Sequence, residues 1–357
     1  MVSNLGDSGS GSLRDAIASL LRGGSITFAA NLSGQTITLT SGAIELSNSV
    51  TIDASTLANG IQINGNANSD IFQAYGGVSV SLNALTLTNG YGGPGGNGGA
   101  IFNYGTLVLN NCTLAGNSVV TNRAGGAIQN WGLLFLNGCT LFNNSGGFAG
   151  AINNNATCQL QNCTLYGNSA ASGNGGAIDN VSGATLFMLQ CTVSGNSAEF
   201  SGGGIDNYQS QLSIINTIIA GNVSVQGGED IYNWSGSTNT ALGANIVQNL
   251  SNEGTVNGDG SILAVDPLLG PLANNGGGTL TMLPQDDSLA IDQGVTSADG
   301  ALSIDQRGLP RVSGVTVDIG AVVWIGYYHP GSLPDGCSTA SGSSDKTARN
   351  NSDWPLD

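Results

Sequence analysis

The sequence predicts a right-handed parallel β-helix, which is an all-β solenoid built from stacked coils of chain. Five consecutive segments begin with Gly-Gly-Ala-Ile or a close variant of it, at Gly98, Gly125, Gly150, Gly175 and Gly202. Within them, asparagines recur at fixed places and apolar residues alternate with a period of two, which is typical of short strands. A unit of about 25 residues cannot bury its apolar side alone, so it stacks on copies of itself. Parallel crossovers strongly favour the right hand.

The segment before the repeats, residues 1–25, is predicted to cap the first coil. Residues 12–22 place apolar side chains at a helical spacing, with Ser12 as the N-cap and Asp15 three residues later. Gly23 and Gly24 follow and are expected to end the helix. An amphipathic helix at this position would keep the first coil from pairing edge to edge with other molecules.

Residues 26–265 are predicted to form about nine coils, in which like side chains lie over one another. Stacking at ~4.8 Å per coil turns two columns of asparagine into amide ladders. The first column is Asn103, Asn130, Asn154, Asn180, Asn207 and Asn233. The second column is Asn117, Asn144, Asn168, Asn196 and Asn222. A third column is Cys112, Cys139, Cys163 and Cys191, followed by Asn216. We expect these thiols to be buried and free, with disulfides between stacked neighbours as the alternative.

Two further segments follow the repeats. Residues 266–326 differ in composition from the coils and are predicted to form a distinct closing segment, in which Arg307 and Asp318 are expected to form an ion pair. Residues 327–357 are polar and show no period, so they are predicted to be a tail without regular structure.

The composition excludes two classes of partner. The chain carries 7 basic and 23 acidic residues, a formal charge of −16, whereas nucleic acid binding needs clustered Lys and Arg. No apolar run reaches the roughly 18 residues of a membrane span, so we expect no transmembrane segment.

A secretory signal is expected to be absent or already removed, because the first residues contain no basic stretch and no apolar stretch. Acidic charge with scarce lysine is typical of an extracellular or cell-surface protein.

Alternation along the strands also predicts an exposed face with two columns of outward side chains. One column is Phe102, Gln129, Asn153, Asp179, Asp206 and Tyr232. The other is Tyr104, Trp131, Asn155, Val181, Tyr208 and Trp234. Flat aromatic surfaces beside amides and carboxylates suit sugar rings, which have apolar faces and hydroxyl edges. The predicted ligand-binding residues are Tyr104, Trp131, Asn155, Asp179, Asp206, Tyr208, Tyr232 and Trp234. The alternative is an aromatic ladder that only stiffens the sheet.

The repeats and both ends of the chain resemble known bacterial surface proteins. Gly-Gly-Ala-Ile, followed in each repeat by an element such as Leu114-Ala-Gly-Asn117, resembles the repeats of chlamydial polymorphic outer membrane proteins and related surface β-helices. Residues 4–17 are similar to the first segment of large secreted bacterial β-helix proteins. Residues 266–277, 288–294, 305–308 and 317–321 together resemble the closing domain known as choice-of-anchor Q. These resemblances imply a secreted or surface-displayed scaffold or adhesin and bring no set of catalytic residues.

Asp179 and Asp206 occupy equivalent places one coil apart, which raises an enzymatic alternative. Their carboxylates are expected about 5 Å from each other, close to the separation in retaining glycosidases, and like charges that near would raise one pKa or attract Ca²⁺. Parallel β-helices also include pectate lyases and polygalacturonases. No Arg, Lys or His lies in register beside the pair. We therefore expect binding of polysaccharide, of a cell-surface glycan or of other copies of the chain, with no cofactor except the Ca²⁺ alternative. A polysaccharide lyase or glycoside hydrolase using Asp179 and Asp206 is the second hypothesis.

Overall fold

The computed structural model describes residues 1–20, 23–93, 98–296 and 302–326. The predicted tail, 327–357, and the last two residues of the predicted capping helix lie outside the described residues. Residues Met1–Trp324 form one compact unit. In the described part of the chain, no helix is both long enough and apolar enough to cross a membrane.

The chain folds as a parallel β-solenoid, in which each complete coil adds one strand to each of three sheets. Among the described residues these sheets contain ten, ten and nine strands, as the predicted number of coils requires. Every pairing between successive coils is parallel. The strands of the first sheet are Gly24–Thr27, Val50–Asp53, Ser79–Asn83, Thr106–Asn110, Leu133–Asn137, Thr157–Gln161, Thr185–Leu189, Gln211–Ile215, Thr238–Leu242 and Thr255–Asn257.

The second and third sheets form the other two walls, and their inward side chains complete one continuous apolar core. The second sheet consists of Thr36–Thr38, Ile61–Asn64, Leu85–Thr88, Thr113–Ala115, Thr140–Phe142, Thr164–Tyr166, Thr192–Ser194, Ile218–Ala220, Ala244–Val247 and Ser261–Leu263. The third consists of Ile44–Leu46, Phe72–Ala74, Ile101–Asn103, Ile128–Asn130, Ile152–Asn154, Ile178–Val181, Ile205–Tyr208, Ile231–Asn233 and Leu250–Asn252. A fourth, smaller sheet consists of Tyr91–Gly92, Ser118–Val119, Ser145–Gly146, Ser169–Ala170, Ser197–Ala198 and Val223–Ser224.

Both predicted asparagine ladders are present inside the solenoid. In the first, each side-chain amide donates to the amide oxygen of the next coil at 2.7–2.8 Å, from Asn103 to Asn252. In the second, the same contacts measure 2.8–2.9 Å and end on the carboxylate of Asp230. The sequence reasoning missed Asn252 and Asp230, which terminate the ladders. Because a buried amide without partners is costly, these columns fix the register of the coils.

The cysteine column is buried and its thiols are free, as predicted. Cys112, Cys139, Cys163 and Cys191 have no exposed surface, and Cys158 lies on the neighbouring inward column of Leu107 and Leu134. One detail differs from the prediction: the residue after Cys191 in the column is Thr217, not Asn216. Thr192 pairs with Ile218, so Asn216 lies one place earlier, on the turn.

A thiol titration checks this arrangement. In the native protein we expect at most one cysteine, Cys337, to react with a thiol reagent such as dithionitrobenzoate, because the other five are buried. All six are expected to react after unfolding in guanidinium. More than one fast-reacting thiol in the native state would contradict the described core.

A short helix, Leu13–Ala18, covers the first coil. Ser12 is its N-cap, and the Ser12 hydroxyl accepts a hydrogen bond from the Asp15 backbone N–H. The helix is shorter than predicted and is followed by a turn. Leu13 is buried, and Ile17 and Leu20 pack against the core, so the helix contributes its apolar side as expected.

The segment after the last coil lies along the outer face of the second sheet, where it buries a column of threonines. The Thr140 hydroxyl donates to the carbonyl of Leu280 at 2.6 Å, and the Thr164 hydroxyl donates to the Gln306 side-chain oxygen at 2.6 Å. The backbone N–H of Ala321 donates to the Thr192 hydroxyl at 3.0 Å. These contacts explain why the three outward threonines have almost no exposed surface.

The ion pair of this segment differs from the one predicted. Arg307 pairs with Asp305, with Nη2 and Oδ2 2.7 Å apart and both side chains buried. The Asp318 carboxylate instead accepts hydrogen bonds from the backbone N–H groups of Asp292 and Trp324. A buried carboxylate can accept hydrogen bonds either from backbone N–H groups or from a guanidinium, and the sequence alone does not show which of these partners it has.

Candidate functional site

The connection from the third sheet to the first varies in length between coils, and in two coils it is a short turn whose shape the first asparagine ladder fixes. In two adjacent coils the turns are residues 103–105 and 130–132, with Tyr104 and Trp131 at their centres. The ladder amide oxygen accepts a hydrogen bond from the glycine N–H two residues on, at 3.1 Å in the first turn and 3.2 Å in the second. This is the geometry of an Asx turn. Since the asparagine faces the core, the aromatic side chain after it points outward.

The glycine that ends each turn is required by the close stacking of neighbouring coils. A Cβ at Gly132 would lie 2.1 Å from the carbonyl oxygen of Gly105. A larger residue would therefore force these two coils apart. With glycine present, Tyr104 and Trp131 follow one another at the strand spacing of ~4.8 Å.

Three side chains form what we call the aromatic corner: Tyr75, Tyr104 and Trp131. They are 40, 49 and 49 % exposed. Ala74 pairs with Asn103, which puts Tyr75 one coil before Tyr104. The sequence reasoning missed Tyr75 because its coil lacks the Gly-Gly-Ala-Ile motif. Its position three residues after the strand-initiating Phe72 is the signal that would have found it.

A shallow depression of about 380 Å³ lies at the aromatic corner. Tyr104, Trp131 and Leu133 line it together with the hydroxyl-bearing side chains of Ser79 and Thr106. No charged side chain lines it. The depression thus combines flat apolar surfaces with neutral hydrogen-bonding groups.

The four central members of the predicted column that begins with Phe102 are buried, which corrects the expectation that they are exposed. Gln129, Asn153, Asp179 and Asp206 retain 2, 6, 5 and 0 % of their surface, although they lie in register one coil apart as predicted. The loop before each strand folds over the strand's outer side and covers these side chains. Such folding needs glycine: Gly202 has φ +63°, and a Cβ there would lie 2.6 Å from the backbone nitrogen of Asp206.

Asp179 and Asp206, the carboxyl pair, end a buried row of polar side chains. The Asn153 amide donates to Oδ2 of Asp179 at 3.3 Å, while Oδ1 of Asp179 is buried without a hydrogen-bond partner among the described residues. Asp206 accepts hydrogen bonds from the Ser201 hydroxyl at 2.7 Å and from the Trp234 indole N–H at 2.9 Å. One of the two carboxyl groups therefore lacks the partners that a buried negative charge needs.

Burial sets the protonation of the carboxyl pair. It raises the pKa of Asp206 to about 6, against the hydrogen bonds from Ser201 and Trp234. Burial, together with the negative charge of Asp206, raises the pKa of Asp179 well above its ordinary value. Asp179 therefore holds its proton more tightly than Asp206, whose carboxylate accepts hydrogen bonds from Ser201 and Trp234.

The remaining predicted ligand-binding residues divide between the two columns. Tyr208 is 42 % exposed, whereas Tyr232 and Trp234 are half-buried and pack on one another with ring centroids 4.5 Å apart. Trp234 also contacts the Tyr208 ring at 5.9 Å and covers Asp206. Asn155 is half-buried and donates to the amide oxygen of Asn153. Trp234 therefore covers the carboxyl pair, and the most exposed of the predicted ligand-binding residues are Tyr104, Trp131 and Tyr208.

The carboxyl pair is a poor match for Ca²⁺. A calcium ion takes six to eight oxygen ligands, and both oxygens of Asp206 already accept hydrogen bonds. Within the described ranges, no group of three or more His, Cys, Asp and Glu side chains is placed to hold a metal ion. The Ca²⁺ alternative therefore stays a prediction, without a ligand set to support it.

Comparison with known proteins shows the fold. No family model matches the chain, and no curated protein matches it in sequence. The structure is similar to the crystal structure of pectate lyase Pel9A, with a TM-score of 0.51 and 17 % sequence identity over 87 % of this chain and 90 % of that one. The chain thus has the pectate lyase-like parallel β-helix fold, and the resemblances to surface-protein repeats and to choice-of-anchor Q stay predictions.

Proposed function

We propose that this chain is an extracellular or cell-surface scaffold that binds neutral polysaccharide at the aromatic corner. The observation that carries the proposal is the pair of half-exposed rings, Tyr104 and Trp131, held on ladder-fixed turns around a depression of about 380 Å³. Rigid aromatic surfaces lose little conformational entropy on binding, so their contact area is converted efficiently into affinity.

Charge selects the class of glycan. The chain has a formal charge of −16 with only 7 basic residues, and the depression is lined by uncharged side chains. A polyuronate would be repelled by the acidic surface and would find no cation to pair with. A neutral glycan carries no charge to be repelled and needs no cation, and its hydroxyl groups are matched by the side-chain hydroxyls of Ser79 and Thr106.

Substitution of Trp131 tests the proposal. Trp131→Ala is expected to weaken retention on neutral polysaccharide about tenfold, because a central aromatic contact is worth more than ~1.4 kcal/mol. Retention is measured by affinity electrophoresis through gels that contain β-glucan, mannan or xylan, with polygalacturonate as the charged comparison.

The matched control is Phe200→Ala, which removes a ring that is 40 % exposed but distant from the aromatic corner. This variant should migrate like the wild type in every gel. Equal retention of the Trp131 variant and the wild type, or retention only by polygalacturonate, contradicts the proposal. Far-ultraviolet circular dichroism shows that both variants fold.

An adhesin role fits the same features. The repeats resemble those of bacterial surface β-helices, and a solenoid with an open aromatic side would offer a glycan a long rigid contact. Association with further copies of the chain is the competing partner. Sedimentation of the protein with and without soluble β-glucan distinguishes glycan binding from self-association, because the glycan would reverse self-association at the aromatic corner.

A polysaccharide lyase or hydrolase is the second candidate, favoured by the raised pKa of about 6 at Asp206 and by the lyase fold of the similar structure. A group with such a pKa suits general acid–base chemistry near neutral pH. The burial of Asp206, which has no exposed surface, argues against this enzymatic candidate. Unsaturated or reducing ends released from polygalacturonate, and lost in Asp179→Asn, would establish the enzyme in place of the binding protein.

A further inference from the structure

A second concave site lies where the C-terminal segment runs beside the solenoid. We call it the amide groove; its volume is about 700 Å³. One wall is the bend between the first and second sheets, including Asn110, Asn111 and Asn137, and the other is formed by residues 277–278 and 304–308. All of these residues belong to the same compact unit. The groove lies at the far edge of the first sheet from the aromatic corner, and nothing in the proposed function depends on it.

The solenoid wall of the groove presents a regular array of hydrogen-bonding groups. Asn137 donates through Nδ2 to Oδ1 of Asn110 at 2.9 Å, and Asn110 donates in the same way to Asn83 at 2.8 Å. A primary amide has two N–H donors and two acceptor positions. Each half-buried amide therefore keeps one donor and at least one acceptor position for a ligand. Strand stacking repeats this pair at ~4.8 Å intervals.

The groove carries no uncompensated charge. Asp305 and Arg307 are the charged residues among those that line it, and they pair with each other at 2.7 Å. The remaining polar lining is amide, hydroxyl and backbone. Ile304, which is 50 % exposed, and Leu57 add apolar surface. Alternating donors and acceptors beside apolar patches match the hydroxyl edges and the C–H faces of a sugar.

We propose that the amide groove is a second binding site, for a short stretch of neutral oligosaccharide. The ligand is held by the amides of Asn110 and Asn137 and lies against Ile304. The groove contains no free carboxylate or cation to act as an acid or a base, so it binds without cleaving.

The two sites lie at opposite ends of the same strand. Thr106 lines the aromatic corner and Asn110 lines the amide groove, and the strand Thr106–Asn110 spans roughly 13 Å between them. The outward Val108 and Phe135 are half-buried and lie between the two sites. A glycan chain that crosses this sheet reaches both sites, so long chains bind with higher apparent affinity than chains that fill one site.

Gly278 allows a test that leaves the ladders intact. The position is exposed, and a Cβ there would meet only Cβ of Asn111, at 3.9 Å, which is ordinary contact. Gly278→Phe therefore places a ring in the groove, whereas Gly278→Ala, the matched control, leaves most of the space open. Calorimetric titration uses neutral hexasaccharides of the β-glucan, mannan and xylan types.

We expect Gly278→Phe to lose one of two binding sites per chain and Gly278→Ala to keep both. Trp131→Ala should lose the other site and keep the one in the groove, and Asn110→Ala should weaken the groove site about tenfold. If Gly278→Phe gives the same titration curve as the wild type, the groove proposal is overturned, and the proposed binding at the aromatic corner is unaffected. If Gly278→Phe loses all binding and Trp131→Ala loses none, the proposed function is overturned instead. Absence of binding by every neutral hexasaccharide overturns both.

Discussion

Replacing Asn154 by alanine is expected to lower the free energy of unfolding by about 3–5 kcal/mol, the largest effect of a single substitution that we predict. Asn154 lies in the middle of the first ladder and has no exposed surface. Its amide donates to Asn180 at 2.8 Å and to the carbonyl of Thr185 at 3.1 Å, and it accepts from Asn130 at 2.8 Å. Alanine leaves these groups buried without a partner, and each such group costs about 1–3 kcal/mol.

Guanidinium unfolding followed by circular dichroism measures the loss. The matched control is Asn122→Ala, at an exposed loop position, where the change in stability should stay within about 0.5 kcal/mol. Equal stability of the Asn154 variant and the control would mean that the ladder does not hold the coils. We also expect weaker glycan binding by the Asn154 variant, because the turn that carries Trp131 depends on the same column.

Replacing Asp179 by asparagine is expected to stabilise the protein, and only above about pH 4. Burial and the negative charge of Asp206 raise the pKa of Asp179 well above 3.8, so the Asp179 carboxyl group destabilises the folded chain wherever the unfolded chain has already lost this proton. The new side-chain amide would extend the row that Gln129 and Asn153 begin, and the substitution would remove the like charge beside Asp206. We therefore expect the variant to be more stable than the wild type at pH 8 and to differ little from it at pH 4.

The sign follows from where the proton is held. Below pH 3.8 both carboxyl groups are protonated in the folded and the unfolded chain, so the pair has no cost. As the pH rises through 3.8, the unfolded chain loses these protons first, and stability falls until the folded pair has also titrated, at about 6 for Asp206. Asp7 acts in the opposite direction, since hydrogen bonds from Ser41 and Arg14 lower the pKa of Asp7 despite its partial burial.

For that reason the stability of the variant is compared with that of the wild type at each pH, so that the contributions of the other titrating groups cancel. Asp259→Asn, at an exposed carboxylate, is the control and should change stability by less than about 0.5 kcal/mol at any pH. A difference between the Asp179 variant and the wild type that is constant from pH 4 to pH 8 would show that the carboxyl pair is not strained.

The features that repeat could be predicted from the sequence, and those made by one long-range contact could not. Asn103 and Asn130 recur at one interval with the same neighbours, so their stacking follows from the period alone. The burial of Asp206 depends on a loop that folds back through Gly202, and no period records that fold. Likewise the amide groove exists because the C-terminal segment packs beside the solenoid, where the Asn162 amide donates to the carbonyl of Ile304, and only three-dimensional packing brings these two residues together.

The ladder links stability to the proposed function. Its amide oxygens accept from the glycine of each turn, and this bond directs Tyr104 and Trp131 outward without any contribution from a ligand. A binding surface that is already ordered loses little entropy when a glycan arrives. The proposed glycan binding therefore does not require the protein to change shape.

The most direct test of the account is a crystal structure of the chain grown with a neutral hexasaccharide that it retains. The account predicts a sugar ring stacked on the exposed indole of Trp131, beside Tyr104 and within hydrogen-bonding distance of Ser79 or Thr106. A hexasaccharide seated over Asp179 and Asp206, with the covering loop displaced and the aromatic corner bare, would contradict it.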